Sequence, residues 1–387
     1  MPFNFINDQL IERQQKNLYR ACSVNENNQG RLISVKGKHY LNFSSNDYLG
    51  LASDADLIAA WKEGAERYGV GSGGSPLVTG FNQAHLDLCD DIKSWLGVEA
   101  VALFSSGYSA NQAIIKLLLS KGDLLIQDKL NHASLMEAGM YADCEMKRFK
   151  HNEMNHLEQI LCKSECDNKL IISEGVFSMD GDQAPVLQLL SLAKKSNSWL
   201  MIDDAHGLGV LGEQGKGSVD ASKCALYMAT FGKAVGVSGA FVAGSQQLID
   251  YLTNFSKPYI YSTSFPPAMA FCISASIKKI KEEQWRRDHL HSLIAEFRRL
   301  ATDKNIELGN SKTAIQPIII GESQQTMKMA QALRDQGFWV TPIRPPTVPN
   351  NSARLRVTLT VHHVMADIEN LIDVLAGLVS ASKKARE

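Results

Sequence analysis

No stretch of this 387-residue sequence stays apolar for the roughly 18 residues a membrane crossing needs. The opening, MPFNFINDQLIERQQ, lacks the apolar core of a secretory signal, so a cytoplasmic protein is expected. Charge of one sign is lacking too. Forty Lys and Arg against 41 Asp and Glu leave a net charge of −1, with no electrostatic footprint for nucleic acid or an anionic membrane. Cysteine is sparse, at seven, and only Cys162 and Cys166 in CKSEC stand close together. Neither a second pair nor histidines follow at ligand spacing, so no metal site is expected and reduced thiols are the reading. The glycine-rich GVGSGGSPLVTG, Gly69 to Gly80, has no GK[ST] and is not a phosphate-binding P-loop; it should be a loop with unusual backbone angles or close approach. Internal repeats, low-complexity tracts and long disordered linkers are missing as well.

What is present is a chain 44% hydrophobic and 21% charged, of a length that suggests two domains. Residues 1–45 read as an arm, a polar helix in NDQLIERQQKNLYR followed by an extended pair in RLISVKGKHYLNF. Residues 46–285 alternate helical patterns with short, nearly continuous apolar runs: AVALFSSG, DLLIQD, KLIISEG, WLMIDDA, LYMATFG and GAFVAGS. Such runs are strands buried on both faces, which predicts an α/β domain with a mostly parallel sheet between helices. In such sheets ligands gather at the carboxyl ends of the strands. Those ends carry Ser105, Ser106, Glu174, Asp203, His206 and Lys233. One long helical stretch, AMAFCISASIKKIKEEQWRRDHLHSLIAEFRRLA, should lead into a small α+β domain over residues 286–387.

GLGVLG, Gly207 to Gly212, matches the dinucleotide pattern and follows a strand, but the glycine-rich EQGKGSVDASK behind it is a poor helix. In IDDAHGLG, Asp203 and His206 share a strand end, with Asp204 expected on the opposite face. Ser106 and Gly107 open a helix whose free N–H groups suit an anion, although a plain serine cap reads equally well. His132 falls on the first turn of another helix. Lys233, in ATFGKAVGVSGAFVAG, sits among small and apolar residues, where an unpaired amine is costly. A lysine, a carboxylate, a helix start and histidines at strand ends are the parts a pyridoxal phosphate enzyme needs. On that reading, the glycines near Lys233 let backbone and side chain swing.

NFSSNDYLGL, GSGGSPLVTG, SSGYSANQ, NHASLMEAG, EGVFSMDGDQAPV, IDDAHGLGVLG and ATFGKAVGVSG occur in this order, and together the chain resembles the α-oxoamine synthases. The resemblance covers nearly the whole chain and implies a fold type I pyridoxal 5'-phosphate transferase with a seven-stranded sheet. It implies Lys233 as the Schiff-base lysine and later acid/base, Asp203 on the ring nitrogen, and His132 stacked on the ring and touching substrate. Gly107, Tyr108, Ser178, His206 and Thr230 take the remaining cofactor contacts. Thr263 and Ser264, in YIYSTSF, would reach the phosphate of a neighbouring subunit, implying a homodimer with shared sites. Arg356 would grip an amino-acid carboxylate, and Arg20 and Thr347 match substrate-contacting positions. NLYR and RPPTVPNNSARLRVTLT point to the branch that condenses L-alanine with a pimeloyl thioester, on coenzyme A or an acyl carrier protein, in biotin synthesis. Pro76 and Tyr108 depart from the common pattern; Tyr108 keeps an aromatic ring, and Pro76 would bear on the subunit contact or acyl tunnel. Two alternatives stand beside this: a sister enzyme coupling glycine with acetyl-CoA, and, on GLGVLG alone, a nicotinamide-dependent dehydrogenase.

Overall fold

The computed structural model describes residues 2–27 and 29–384. Two compact units emerge: residues 47–178 with 182–287, and residues 1–46 with 179–181 and 288–387. The arm over residues 1–45 therefore belongs to the same unit as the carboxy-terminal segment. It does not stand apart. The pairing that brings this about is non-local, with Leu41 and Asn42 in register with Phe338 and Trp339. Arg31 adds a two-pronged ion pair to Asp367, at 2.7 and 2.6 Å.

The larger unit holds a seven-stranded sheet. Its strands are β1 (Ala100–Phe104), β2 (Leu124–Asp128), β3 (Glu145–Phe149), β4 (Lys169–Glu174), β5 (Trp199–Asp203), β6 (Leu226–Thr230) and β7 (Ala240–Gly244). Their spatial order is β1-β7-β6-β5-β4-β2-β3, parallel throughout except for β7, which runs antiparallel between β1 and β6. Six strands follow the apolar runs of the sequence. The seventh, β3, is EMKRF, too charged to read as a strand, and it lies at the sheet edge, where one open side suits polar side chains.

Helix α1 (Ala55–Tyr68) starts at Asp54, whose side chain caps Asp56 N–H. Helix α2 (Gly107–Leu118) starts at Ser106, which accepts from Ser109 N–H at 3.1 Å. Its apolar face, Ile114 and Ile115, packs in one core with Leu125, Ile172, Met201 and Met228. Burying each such side chain stabilises the fold by about 1.5–3 kcal/mol. Helix α3 (Ala133–Met140) begins at His132, whose ring caps Ser134 N–H. The long helix expected after residue 267 is broken: α4 (Pro267–Glu282) ends at Glu283, where φ −97 and ψ 66 leave helical space, and a second helix runs over Gln284–Asp303.

The smaller unit pairs Ile315–Gly321 with Ala353–Thr358 antiparallel, and the latter with Thr341–Ile343. Its amino-terminal helix, Phe5–Gln15, buries none of its side chains and stops before NLYR.

Candidate active site

Strand ends β4, β5 and β6 and the starts of α2 and α3 surround a cavity of about 190 Å³. Seven of the ten expected cofactor residues line it: Gly107, Tyr108, His132, Asp203, His206, Thr230 and Lys233. Thr263 and Ser264 lie elsewhere in this unit, beside Ser105, Ser109 and Pro76 in a narrow cleft of about 20 Å³. Ser178 sits in a hairpin after β4, closed by Phe177 N–H donating to Asp182 O at 3.0 Å. Arg20, Thr347 and Arg356 belong to the smaller unit. There Arg20 donates to the Thr347 hydroxyl at 2.9 Å, and Arg356 donates to Asn46 Oδ1 and the Thr358 hydroxyl.

Asp203 ends β5 with both oxygens engaged. Oδ2 accepts from Asn111 Nδ2 at 2.9 Å and Oδ1 from Ala205 N–H at 3.1 Å. Asn111 also donates to the Ser134 hydroxyl, which bonds His132 Nδ1 at 2.8 Å. The buried amide thus ties carboxylate to imidazole. With Nδ1 accepting, any ring proton of neutral His132 sits on Nε2. Burial lowers the pKa of His132, Asp203 opposes this, and the Lys233 charge adds to it. Tyr48 OH meets His206 Nδ1 at 2.6 Å, fixing the second imidazole. Asn111 was not foreseen; its only signal is an amide one helical turn after Gly107, on the face turned to the sheet.

Glu174, at the end of β4, lines the same cavity, fully enclosed. Burial, with Asp203 adding to it, raises its pKa well above the ordinary value; the backbone N–H dipoles of His132 and Ser178 and the Lys233 charge pull it part of the way back. Its Oε1 has no hydrogen-bond partner.

Asp204 does lie away from the cavity, in a cradle of glycines. A Cβ at Gly207, Gly175 or Gly217 would stand 2.8, 3.0 or 3.3 Å from its Cγ. Its Oδ2 accepts from Ser218 N–H at 2.7 Å and from Tyr227 OH at 2.8 Å. This accounts for the first glycine of GLGVLG. Behind that motif come two short 3-10 turns, Glu213–Gly215 and Ala221–Lys223, and not the helix a dinucleotide fingerprint needs.

Of the glycines near Lys233, Gly236 and Gly239 are closely packed, whereas Gly232, beside the lysine, meets only the Thr230 hydroxyl at 3.6 Å. Lys233 lies in the β6–β7 hairpin loop, where Phe231 N–H bonds Gly239 O, Val237 N–H bonds Phe231 O and Gly236 N–H bonds Lys233 O, each at 2.9 Å. Gly236, at φ +75, approaches Leu51 and Ala52 so closely that a Cβ would lie 2.6 Å from Ala52 N. In the 69–80 loop, Gly69 and Gly73 have positive φ and Gly80 presses on Gly74, as the glycine density implied.

The donor set fits pyridoxal phosphate: a helix start for the phosphate, a doubly bonded carboxylate for a ring nitrogen, and an amine for the aldehyde. The unpartnered oxygens of Asn111 and Glu174 leave polar capacity at the cavity.

Residues 38–375 match the family of class I and II aminotransferases. The 8-amino-7-oxononanoate synthase of Aeromonas salmonicida is 51% identical over 371 residues, 95% of this chain and 92% of that one. A serine palmitoyltransferase from S. paucimobilis, solved with bound PLP, superimposes with a TM-score of 0.92 at 28% identity, covering 98% of both chains. The 8-amino-7-oxononanoate synthase of Francisella tularensis gives a TM-score of 0.78 at 26% identity, covering 88% of this chain and 98% of that one. Likeness this extended, in sequence and in backbone alike, leaves one placement: the chain belongs to the class I and II aminotransferase family of pyridoxal phosphate enzymes and, within it, to the 8-amino-7-oxononanoate synthases.

Proposed function

We propose that this chain joins L-alanine to a pimeloyl thioester, releasing the thiol and carbon dioxide and forming 8-amino-7-oxononanoate for biotin synthesis. The carrying observation is the cavity that gathers Lys233, Asp203 and His132 at the start of α2. The chemistry supplied there by bound pyridoxal phosphate is an electron sink for the pair left when a bond at the amino-acid Cα breaks. Asp203, held by Asn111 and Ala205 N–H, keeps the ring nitrogen protonated. His132 would lie against the ring, and Gly107, Tyr108, Thr230 and His206, which line the same cavity, would complete the holding set. Lys233 takes the Cα proton, which an amine does only in its neutral form. Arg356, oriented by Asn46 and Thr358, grips the alanine carboxylate and aligns the bond lost with carbon dioxide. Arg20 and Thr347, hydrogen-bonded to each other, contact substrate.

The working form is a homodimer in which Thr263 and Ser264 reach the partner's cofactor phosphate. The donor thioester is carried by coenzyme A or an acyl carrier protein, and the enzyme works in the cytoplasm. Among the described residues no helix is long and apolar enough to cross a membrane.

The test is thiol release from cofactor-loaded protein, crossing L-alanine and glycine with pimeloyl-, acetyl- and succinyl-CoA. Release confined to alanine with pimeloyl-CoA is expected. Preference for glycine with acetyl-CoA would transfer the same residues to the sister activity.

A further inference from the structure

Outside the cavity, one histidine is bonded to carboxylates on both ring nitrogens. His151 Nδ1 meets Asp128 Oδ1 at 3.0 Å and Nε2 meets Asp182 Oδ2 at 2.7 Å. Asp128 ends β2 and is fully buried. Asp182 belongs to the hairpin that carries Ser178. Asn152 doubles the link: its N–H donates to Asp128 Oδ2 at 2.9 Å and its side-chain amide to Asp182 Oδ2 at 3.0 Å. Its φ of +54 lets one dipeptide serve both carboxylates. The two carboxylates push the His151 ring up to about 10 against the opposing effect of burial, so the bridge is ionic at neutral pH.

The contacts on the hairpin side bracket Ser178. Phe177, the residue before it, stands edge-on to the His151 ring, centroids 4.4 Å apart and planes at 90°. Phe177 N–H bonds Asp182 O, so the stretch containing Ser178 is closed from both sides onto one imidazole. On the sheet side, Asp128 Oδ1 also accepts from Leu130 N–H at 2.8 Å, in the turn leading to His132. A hairpin turn on its own has several accessible backbone states, and a ligand contact made from it is weakened by the fraction of time spent elsewhere.

We propose that His151 is a positioning residue: bridging Asp128 at the sheet and Asp182 in the hairpin, it holds Ser178 where the bound cofactor meets it. This role rests on the placing of Ser178 at the cofactor. The experiment is a double-mutant cycle on cofactor affinity, titrating apo-protein with pyridoxal phosphate and following its visible absorption. The four proteins are wild type, His151→Gln, Ser178→Ala and the double variant, with apo-protein melting recorded for each. Ser178→Ala weakens binding roughly three- to tenfold, as loss of one hydrogen bond does. His151→Gln weakens it by a similar factor in the wild-type background and by less than about twofold where Ser178 is absent. Equal losses in both backgrounds would overturn the proposal, leaving His151 a fold-stabilising residue only. No loss from Ser178→Ala alone would overturn it differently, by removing Ser178 from the cofactor while the synthase activity stood. If His151→Gln does not fold, Asp182→Asn, which keeps shape and removes one charge, takes its place in the cycle: coupling to Ser178 supports the bridge, and equal losses in both backgrounds overturn it.

Discussion

Replacing Gly207 by alanine tests the glycine cradle around Asp204 directly. The added Cβ would overlap Asp204 Oδ1 and sit 2.8 Å from Cγ. The carboxylate cannot retreat, because the backbones of Gly175 and Gly217 close its other sides and Tyr227 OH and Ser218 N–H hold Oδ2. Overpacking of a close-packed interior costs about 1–3 kcal/mol. Turning the carboxylate away would also leave one or two buried partners unsatisfied, at about 1–3 kcal/mol each. A destabilisation of about 3–5 kcal/mol is expected, read as a lower denaturant midpoint in urea unfolding followed by tryptophan fluorescence. Asp204→Ala should be destabilising too, but adding Gly207→Ala to it should cost little more, since the clashing group has gone. Unchanged unfolding in Gly207→Ala, or a full additional loss in the double variant, would refute the cradle.

Lys233→Ala should lose more than about 10³-fold in turnover while melting close to wild type; residual turnover near the wild-type rate would end the proposed chemistry. Asn111→Leu strips a donor from both Asp203 and Ser134, and should weaken pyridoxal phosphate binding roughly tenfold or more in a titration of apo-protein. His363 is buried, its Nδ1 accepting from Thr360 N–H and its Nε2 donating to Asn42 O, and burial lowers its pKa to about 4. The unfolded chain therefore binds the proton first, so this contribution is full above pH 6.5 and is lost as pH falls towards 4. At most about 3 kcal/mol is at stake, and His363→Gln should flatten the stability curve in that window; an unchanged slope would assign the acid loss elsewhere. Gly64→Ala and Gly377→Ala, both inside helices, should differ in sign. The first meets Ala268 Cα at 3.0 Å and destabilises by about 1–2 kcal/mol, whereas the second meets open space and gains about 0.5–1 kcal/mol. Melting temperatures moving in the same direction would show that close approach does not decide.

Six strands, the edge strand Ala100–Phe104 among them, were legible because burial on both faces writes itself into a sequence as an unbroken apolar run. The strand Glu145–Phe149 at the other edge was not, since only Phe149 is buried in it and its composition follows suit. Asp203, His206 and Lys233 could be found as polar groups ending apolar runs. Glu174 was found in the same way, at the end of KLIISEG, but Asn111 is a polar group whose meaning depends on what faces it across the cavity, and spacing along the chain carries none of that. The glycines around Lys233 were visible, but glycine composition does not distinguish a backbone that must move from one that must pack closely; the contact of Gly236 with Leu51 and Ala52 puts that glycine in the second class. The alliance of the first 46 residues with the last hundred is likewise a product of long-range pairing.

The pinned hairpin around Lys233 has a consequence in time. With the backbone laced on both sides of the lysine, the amine travels on its own four-carbon arm, by rotations of single bonds. Such rotations take picoseconds to nanoseconds, whereas loop opening takes nanoseconds to microseconds and collective domain motion longer still. Reorientation of the Lys233 side chain would therefore be fast, and any slow event at this position would lie in bond making and breaking or in a larger motion.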